Sequence, residues 1–533
     1  MKKRLDKTLL AILSATLLLG ACASPEPQPA AQDAAAAGGA NAPAETSAEA
    51  PAPGGNADRD ELNIVVASFM ASLDPVLSND TPSHQIRQMI FEPLVRFNPR
   101  TLEMYGVLAT SWDMPDAQTV NFELRQGVYF SNGDRFTASD VAFTFERAIE
   151  SPLTRALFEA IDYVEVIDDY NVTFHLNRPF VPILTQLTLV QASIVSERAV
   201  REFGDDFQDN PVGTGPFVLE EIVLGDRTVV TRNENYWGQA PHMRQVTFRV
   251  IPEQAQRFIA VEVGDADIAL MIAPTDVPRA ETTPSVVLHR NLNFSYNYIG
   301  FNLAQGPTAD QRVRHAITYA LNLDSIVDNA FAGTGQLITS PIVPMTQFAI
   351  EMEPFETNLD RARELLAEAG YPDGFSINFW SNAGNQTRAD VGTMVQHQLR
   401  QVGIDVTTEI IEWGTYMERT AAAEHDMLIL AWVGTPDPDF HLNMLFHSRN
   451  LGLAGNVSHI DNPEVDRLLD EARVELDVAR RGELYAELQH LLRDIRPHIF
   501  LVQNEELNIT TPYVRGFFSA PDVLPRFWEV YFD

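Results

Sequence analysis

Hydrophobic and polar residues follow patterns that alternate between strand-like and helix-like from about residue 60 onward. Residues 62–66 are apolar except for Asn63, which predicts a buried strand, and residues 120–124 alternate as a half-buried strand does. Val141 and Phe145 fall on one face of a helix for which Thr137 is the predicted N-cap. These patterns together predict an α/β fold.

The second half of the chain continues this alternation. We predict long amphipathic helices within residues 464–495. Further helices are predicted over 359–370 and 390–402, and strands over 375–379, 406–411 and 426–432. The order of strand, helix and strand supports the α/β class, and no internal repeat is visible.

The amino terminus has the features of an export signal. Cationic residues at positions 2–4 precede an apolar stretch over 9–19, which is too short to span a membrane. The run Leu19-Gly20-Ala21-Cys22 ends at the only cysteine of the chain and resembles the bacterial lipobox. We therefore expect residues 1–21 to be removed and Cys22 to be acylated. The alternative is an ordinary signal peptide with an incidental cysteine.

The segment that follows Cys22 has the composition of a flexible tether. Residues 23–58 are mostly Ala, Pro and Gly, with no aromatic or branched aliphatic side chain. Such a segment cannot bury enough apolar surface to offset the entropy lost on ordering. We therefore expect residues 22–58 to form an acylated, disordered tether to a body over 59–533.

The cationic residues exclude several functions. Lysine occurs only at Lys2, Lys3 and Lys7, so a mature chain has no Walker-type lysine, Schiff-base lysine or Ser-Lys dyad. The leader carries four cations and one carboxylate, so its removal changes the formal net charge from −35 to −38. This charge repels phosphate backbones and anionic headgroups. We therefore expect no nucleic-acid binding, and membrane attachment through the lipid alone.

Several segments in sequence order resemble the family 5 extracellular solute-binding proteins of bacterial ABC importers, which include oligopeptide and dipeptide binders. The resemblance extends over residues 61–533. The segments that carry it are Leu73-Asp74-Pro75, Phe91 to Leu94, Phe122 to Val141, Asn210 to Phe217, Asn233 to Trp237, Arg312 to Ala316 and Trp432 to Phe440.

The resemblance implies a periplasmic-binding-protein fold, with two α/β lobes around a ligand cleft plus an extra α/β lobe. Lobe I would comprise residues 59–92, 194–292 and 508–533, the extra lobe 93–193, and lobe III 293–507. Ligand binding would close the lobes like a hinge. The implied partners are a peptide or other small solute and an ABC permease heterodimer with its ATPases, and we expect a monomer on the extracytoplasmic face of the cell membrane.

The resemblance also implies where ligand contacts lie, namely at strand ends and loops that face the cleft. For each side chain the alternative is core packing or loop structure. The implied contacts are Ser68, Phe69 and Met70 from lobe I, and Asn382, Trp413, Trp432, Val433, Gly434 and Thr435 from lobe III.

Position 435 departs from the pattern of the peptide binders. They carry an aspartate there, which meets the α-ammonium of the peptide, whereas this chain has Thr435. Asp437 or Asp439 could take over that contact. The alternative is that the repeated Pro and Asp residues at 436–439 form ordinary turns.

Other chemistry finds little support in the sequence. His441 and His447 are six residues apart, off a common helical face, so we expect no metal site and no cofactor. Gly213-Thr214-Gly215 lacks a following lysine and is interpreted as a turn, and no Gly-x-Ser-x-Gly motif occurs. We therefore expect a binding protein and not an enzyme. A nickel complex, glycoside or opine as ligand, and a surface sensor without import, remain alternatives.

Overall fold

The computed structural model describes residues 59–452 and 455–533. The predicted leader over 1–21, the acylation site Cys22 and the tether over 22–58 lie outside the described residues. Within the described residues, no helix combines the length and the apolar character that crossing a membrane requires.

The strands belong to one large mixed sheet, one four-stranded sheet and two small ribbons. In the first half of the chain they are β1 (Glu61–Val66), β2 (Val95–Phe97), β3 (Met104–Gly106), β4 (Ala109–Asp116), β5 (Thr119–Leu124), β6 (Ile161–Asp168), β7 (Asn171–Leu176), β8 (Phe217–Val223), β9 (Arg227–Arg232), β10 (Gln245–Val250) and β11 (Ile268–Ala269). In the second half they are β12 (Val287–Phe301), β13 (Gln336–Leu337), β14 (Phe375–Asn382), β15 (Ile404–Ile411), β16 (Met427–Val433), β17 (His498–Thr510), β18 (Val514–Arg515) and β19 (Tyr531–Phe532).

The helices lie between these strands. Up to residue 300 they are α1 (Thr81–Ile90), α2 (Ala138–Glu150), α3 (Arg155–Phe158), α4 (Ile183–Gln186), α5 (Glu197–Phe203), α6 (Gln254–Glu262) and α7 (Val277–Thr282). Beyond it they are α8 (Gln311–Ala320), α9 (Leu323–Ala330), α10 (Leu359–Glu368), α11 (Gln386–Leu399), α12 (Trp413–Ala421), α13 (Asp439–Phe446), α14 (Pro463–Val474) and α15 (Val478–Ile495).

The predicted elements are confirmed, with ends that differ by a few residues. The apolar run at 62–66 is β1, and the alternating run at 120–124 is β5. Thr137 is the N-cap of α2, with Asp140 closing a capping box, and Phe145 is buried on its inner face. The later predicted elements correspond to α10, β14, α11, β15, β16, α14 and α15.

The large sheet has the strand order β15-β14-β16-β12-β17-β11-β1-β10-β9-β8, and β13 pairs with β17. Parallel pairs occur at both ends, where β1 lies between β10 and β11 and β14 lies between β15 and β16. β12 and β17 are long antiparallel strands of 15 and 13 residues that join the two ends. The predicted lobe boundaries at 292/293 and 507/508 fall inside these two strands, and they stay predictions.

Both faces of the sheet are buried around β16, which explains its continuous apolar sequence. Met427 and Ile429 pack on one side with the residues of α8, α9 and α11. Leu428 and Leu430 pack on the other side against α13, α14 and α15. Since successive side chains point to opposite faces of a strand, an apolar residue is needed at every position.

The antiparallel sheet β4-β5-β7-β6 lies wholly within the predicted extra lobe. Helix α2 packs on it through Phe145, whose ring meets Phe174 of β7 edge to face at 4.9 Å. The core around these rings continues into the residues around β1, β8 and β10. The extra lobe therefore shares its hydrophobic core with lobe I.

A buried carboxylate explains several segments that carry the family resemblance. Glu92 accepts hydrogen bonds from Thr214 Oγ1 at 2.9 Å, Tyr236 Oη at 2.7 Å and Trp237 Nε1 at 2.8 Å. Burial raises the pKa of Glu92, and the three hydrogen bonds oppose that rise. The donors therefore stabilise a carboxyl group that water does not reach. The segment 213–215 thus packs beside α1, and a Cβ on Gly213 would lie 2.1 Å from the carbonyl oxygen of Ile90.

Candidate functional site

A cleft of about 390 Å³ lies where the three predicted lobes meet. Helix α1 and residues 521–526 line it from lobe I, and residues 433–437 with Phe440 line it from lobe III. The extra lobe contributes residues 93–102 and the turn region 182–193. Because β16 ends at Val433, the chain emerges from the carboxyl edge of the sheet directly into this cleft.

The structure brings some of the predicted contact residues to this cleft. Val433, Gly434, Thr435 and Asp437 line it. Gly434 lies so close to β12 that a Cβ would come within 2.7 Å of the Phe294 carbonyl oxygen. A small residue at 434 therefore lets the loop pass beside β12, although its contact with a ligand stays a prediction.

The other predicted contacts lie elsewhere. Ser68, Phe69 and Met70 line a separate small depression together with Phe248. In the described chain, Asn382, Trp413 and Trp432 are not part of the cleft wall. Their roles in binding stay predictions.

The remote lobe III residues nevertheless lie at strand ends, as the sequence suggests. Asn382 ends β14, and its Oδ1 accepts a hydrogen bond from Arg388 Nη1 at 2.6 Å. Trp413 begins α12, is 49% exposed and stacks on Tyr416 at 5.9 Å. Trp432 is partly buried against the core, and its Nε1 has no hydrogen-bond partner among the described residues. Polar and aromatic side chains thus lie near the carboxyl ends of β14, β15 and β16.

The loop after β16 is held by two buried ion pairs. Asp437, which is 7% exposed, accepts hydrogen bonds from Arg481 Nη1 at 2.5 Å and from Nη2 at 3.0 Å. Asp439, which is 1% exposed, accepts from Arg473 Nη2 at 2.9 Å. Burial raises the pKa of Asp439, and Arg473 opposes that rise. These contacts favour the interpretation of both aspartates as structural groups of the turn.

Thr435 takes part in the same loop. Its Oγ1 donates a hydrogen bond to the backbone oxygen of Asp437 at 2.5 Å. The hydroxyl therefore already has an acceptor inside the loop, in the manner of a local side-chain turn. The position where peptide binders carry an aspartate offers a neutral group in this chain.

The opposite wall holds three polar atoms that have no partner among the described residues. They are His84 Nε2 on α1, Gln186 Oε1 at the end of α4, and Ser193 Oγ. Burial lowers the pKa of His84 to about 4, so its imidazole is neutral at pH 7. Buried polar groups usually find a partner, so these atoms are candidate ligand contacts.

Sequence reasoning missed these three residues. They belong to no motif, and other polar residues lie next to them, such as Gln85 beside His84 and Thr185 beside Gln186, so no local signal distinguishes them. Helix α1 and the turn region 182–193 are far apart in sequence, so only the folded chain shows that they share a wall.

Two further charged residues of the cleft are engaged within the protein. Asp522 accepts a hydrogen bond from Arg526 Nη2 at 2.8 Å. Arg96 donates to the backbone oxygens of Gln88 and Phe91, each at 3.2 Å, and its guanidinium lies 5.0 Å from the Trp528 ring centre. These contacts join the carboxyl-terminal segment to α1 and stiffen this side of the cleft.

Potential metal ligands are dispersed. No group of three or more His, Cys, Asp or Glu side chains with suitable geometry occurs among residues 59–452 and 455–533. His441 Nε2 lies 3.2 Å from the Pro341 backbone oxygen, and burial lowers the pKa of His441 to about 4. His447 instead lies between Asp466 and Asp470. The two histidines considered from the sequence therefore have different environments.

Comparison with known sequences identifies relatives over most of the chain. The glutathione-binding protein GsiB of Pectobacterium atrosepticum is 29% identical over 480 residues, covering 87% of this chain and 92% of the relative. GsiB of Salmonella typhi is 30% identical, with coverage of 86% and 92%. The heme-binding protein A of Haemophilus influenzae is 27% identical, with coverage of 84% and 87%.

Solved structures share the fold. The periplasmic binding protein DppA of Helicobacter pylori, in complex with the peptide STSA, has a TM-score of 0.75 at 28% identity and covers 89% of this chain and 98% of its own. NikA of Brucella suis, in complex with Fe(III)-EDTA, has a TM-score of 0.81 at 25% identity, with coverage of 89% and 100%.

The family model for bacterial extracellular solute-binding proteins, family 5, matches residues 103–452. Together with the mixed sheet and the cleft, these matches confirm the fold and family expected from the sequence. The chain has a periplasmic-binding-protein fold and belongs to the family 5 extracellular solute-binding proteins of bacterial ABC importers.

Proposed function

We propose that this protein is the lipid-anchored, extracytoplasmic substrate-binding subunit of an ABC importer and that it captures peptides in the cleft. The observation that carries the proposal is the cleft itself, which has a volume of about 390 Å³ and walls from three predicted lobes. This volume is in the range of small-molecule sites, and such sites often lie between lobes. We infer binding without catalysis, since the family consists of solute-binding proteins.

Peptides are the first choice of ligand because of the named relatives. Two of the relatives are glutathione-binding proteins, both named GsiB. The Helicobacter pylori structure contains a peptide. The cleft offers both apolar surface, from Leu157, Leu189 and Phe440, and neutral polar groups. This combination suits a short peptide, which presents amide groups along a mostly apolar body.

Closure would occur about β12 and β17, which join the two ends of the large sheet. The pairing of these strands shifts register between Leu292 and Tyr296, at the point where β12 reaches the cleft. A ligand that touches both sides favours the closed form because it binds that form more tightly. A permease heterodimer with its ATPases would then accept the closed monomer.

A non-peptide solute is the second candidate, such as a nickel complex, a glycoside or an opine. One relative is a heme-binding protein, and the Brucella suis structure contains Fe(III)-EDTA. The same cleft would hold such a ligand.

Native mass spectrometry of the purified protein, before and after partial unfolding, tests the proposal. We expect bound masses in the peptide range, which are released on unfolding. Val433 lines the cleft and is 67% exposed, so Val433→Arg should abolish the bound mass without disturbing the core. Leu224→Arg is the matched control, since Leu224 is 86% exposed and outside the cleft wall.

Three results would argue against the proposal. A protein that carries no bound mass and takes up no peptide in calorimetric titration is not a peptide binder. A bound mass of a different chemical class would support the second candidate. If Val433→Arg binds as well as Leu224→Arg, the ligand is held elsewhere.

A further inference from the structure

The carboxylates of the cleft wall are already paired. Among the described residues that line the cleft, Asp437 and Asp522 are the acidic ones, and they pair with Arg481 and Arg526. A guanidinium that binds both carboxylate oxygens of Asp437 satisfies its charge. A ligand ammonium in this cleft would therefore have to break an ion pair or stay without a counter-ion.

Arg96 disfavours a ligand cation further. Its guanidinium lines the cleft and forms no ion pair among the described residues, although the buried Glu92 interacts with it electrostatically. It donates instead to two backbone oxygens and lies over Trp528. A cation placed nearby would meet a charge of the same sign in a partly desolvated site.

The other wall offers neutral groups that need partners. Gln186 and Ser193 are buried, and Gln186 Oε1 and Ser193 Oγ have no hydrogen-bond partner among the described residues. His84 adds the buried Nε2 of a neutral ring. A buried acceptor without a donor is unfavourable, so a ligand that brings neutral N–H or O–H groups would complete this wall. Amide groups meet that requirement.

We propose that the cleft prefers peptides whose amino terminus is blocked by an acyl group over the same peptides with a free α-ammonium. The inference rests on the proposed function and specifies its ligand class. An acylated terminus removes the charge that the wall cannot pair and adds an amide for Gln186 and Ser193.

Competition between two matched peptide pools tests the preference. One pool consists of random pentapeptides with free amino termini, and the other has the same composition with acetylated termini. Both are offered in equal amounts to the purified protein, and the retained peptides are quantified by mass spectrometry. We expect the acetylated pool to be retained more strongly than the free pool. Equal retention of the two pools, or stronger retention of the free pool, would overturn the inference and leave the proposed function intact.

Absence of retention from both pools would contradict the proposed function, and the inference with it.

A second measurement examines the neutral wall directly. Gln186→Glu places a carboxylate there with little change in shape, and it should move the retention ratio at least tenfold toward free-amine peptides. Gln256→Glu on the exposed side of α6 is the control and should leave the ratio unchanged. An unchanged ratio in Gln186→Glu would show that Gln186 does not meet the ligand terminus.

Discussion

Glu506 is a buried acid at the point where the two halves of the large sheet join. It lies on β17 opposite Asn291 of β12 and is 7% exposed. Burial raises the pKa of Glu506 to about 7, and a hydrogen bond with the Asn293 side chain opposes the rise. Neighbouring Glu505 differs, since it pairs with Arg290 at 2.7 Å. Adjacent acids on one strand therefore have different surroundings.

We predict that Glu506 makes stability pH-dependent below neutrality. Because its folded pKa exceeds the unfolded value, its contribution is complete below about pH 4.5 and is lost as the pH rises through about 7. The loss amounts to roughly 3 kcal/mol at most. Glu506→Gln should therefore flatten the free energy of unfolding between pH 4.5 and 7.5, as measured by denaturant titration. Parallel profiles for Glu506→Gln and the exposed control Glu220→Gln would contradict this assignment.

At the scale of elements, the loop between β16 and α13 depends on two helices that follow it in sequence. Arg473 lies in the last turn of α14, and Arg481 lies near the start of α15. Each guanidinium meets one buried aspartate of the loop. Since the same loop forms part of the cleft wall, the packing of α14 and α15 determines the shape of the site.

We predict that breaking the Asp437–Arg481 pair destabilises the protein strongly. Arg481→Met leaves a buried carboxylate without a partner, which costs roughly 3 to 5 kcal/mol in comparable pairs. The double variant Asp437→Leu with Arg481→Met should cost clearly less than the sum of the single variants. Arg480→Met is the control, because Arg480 pairs only with exposed Glu483 and should leave unfolding almost unchanged. Additive single-variant effects in chemical denaturation would show that the pair is not coupled.

For the whole molecule, charge and anchoring are linked. A mature chain with a formal net charge of −38 would be repelled by anionic headgroups, so we propose that the lipid is what holds it at the membrane. In the body built on the mixed sheet, α1, the extra lobe and the loop after β16 surround the cleft. The anchor would keep this body near its permease while leaving it free to rotate and close.

We predict that Cys22→Ser releases the protein from the membrane into the soluble exported fraction. Cys22 is the only cysteine in the sequence and the proposed acylation site, and an acidic surface would not hold the protein at an anionic membrane without the lipid. Fractionation of cells followed by immunoblotting measures the change, with Ser24→Ala as a control that should stay membrane-bound. Retention of Cys22→Ser on membranes washed in high salt would refute the anchor.

Much of the fold was predictable because its information is local. The apolar run of β1, the alternation in β5 and the cap at Thr137 depend on neighbouring residues, and the structure confirms each of them. The same holds for the family, whose segments are short stretches in sequence order. Glu92 shows where prediction from local sequence stops. Its partners at 214, 236 and 237 lie in segments that could be recognised as motifs, but their hydrogen bonds to Glu92 could not be predicted from those segments.

By itself the sequence determined the α/β class, the order of elements, the family and the neutral residue at position 435, because these follow from periodicity, capping and short motifs. Only the tertiary structure decided what the cleft contains. Arg481 pairs with Asp437 across 44 residues, and Gln186 reaches the same cleft as His84 from another lobe. Such contacts depend on how the lobes and helices pack, and no local pattern encodes that packing.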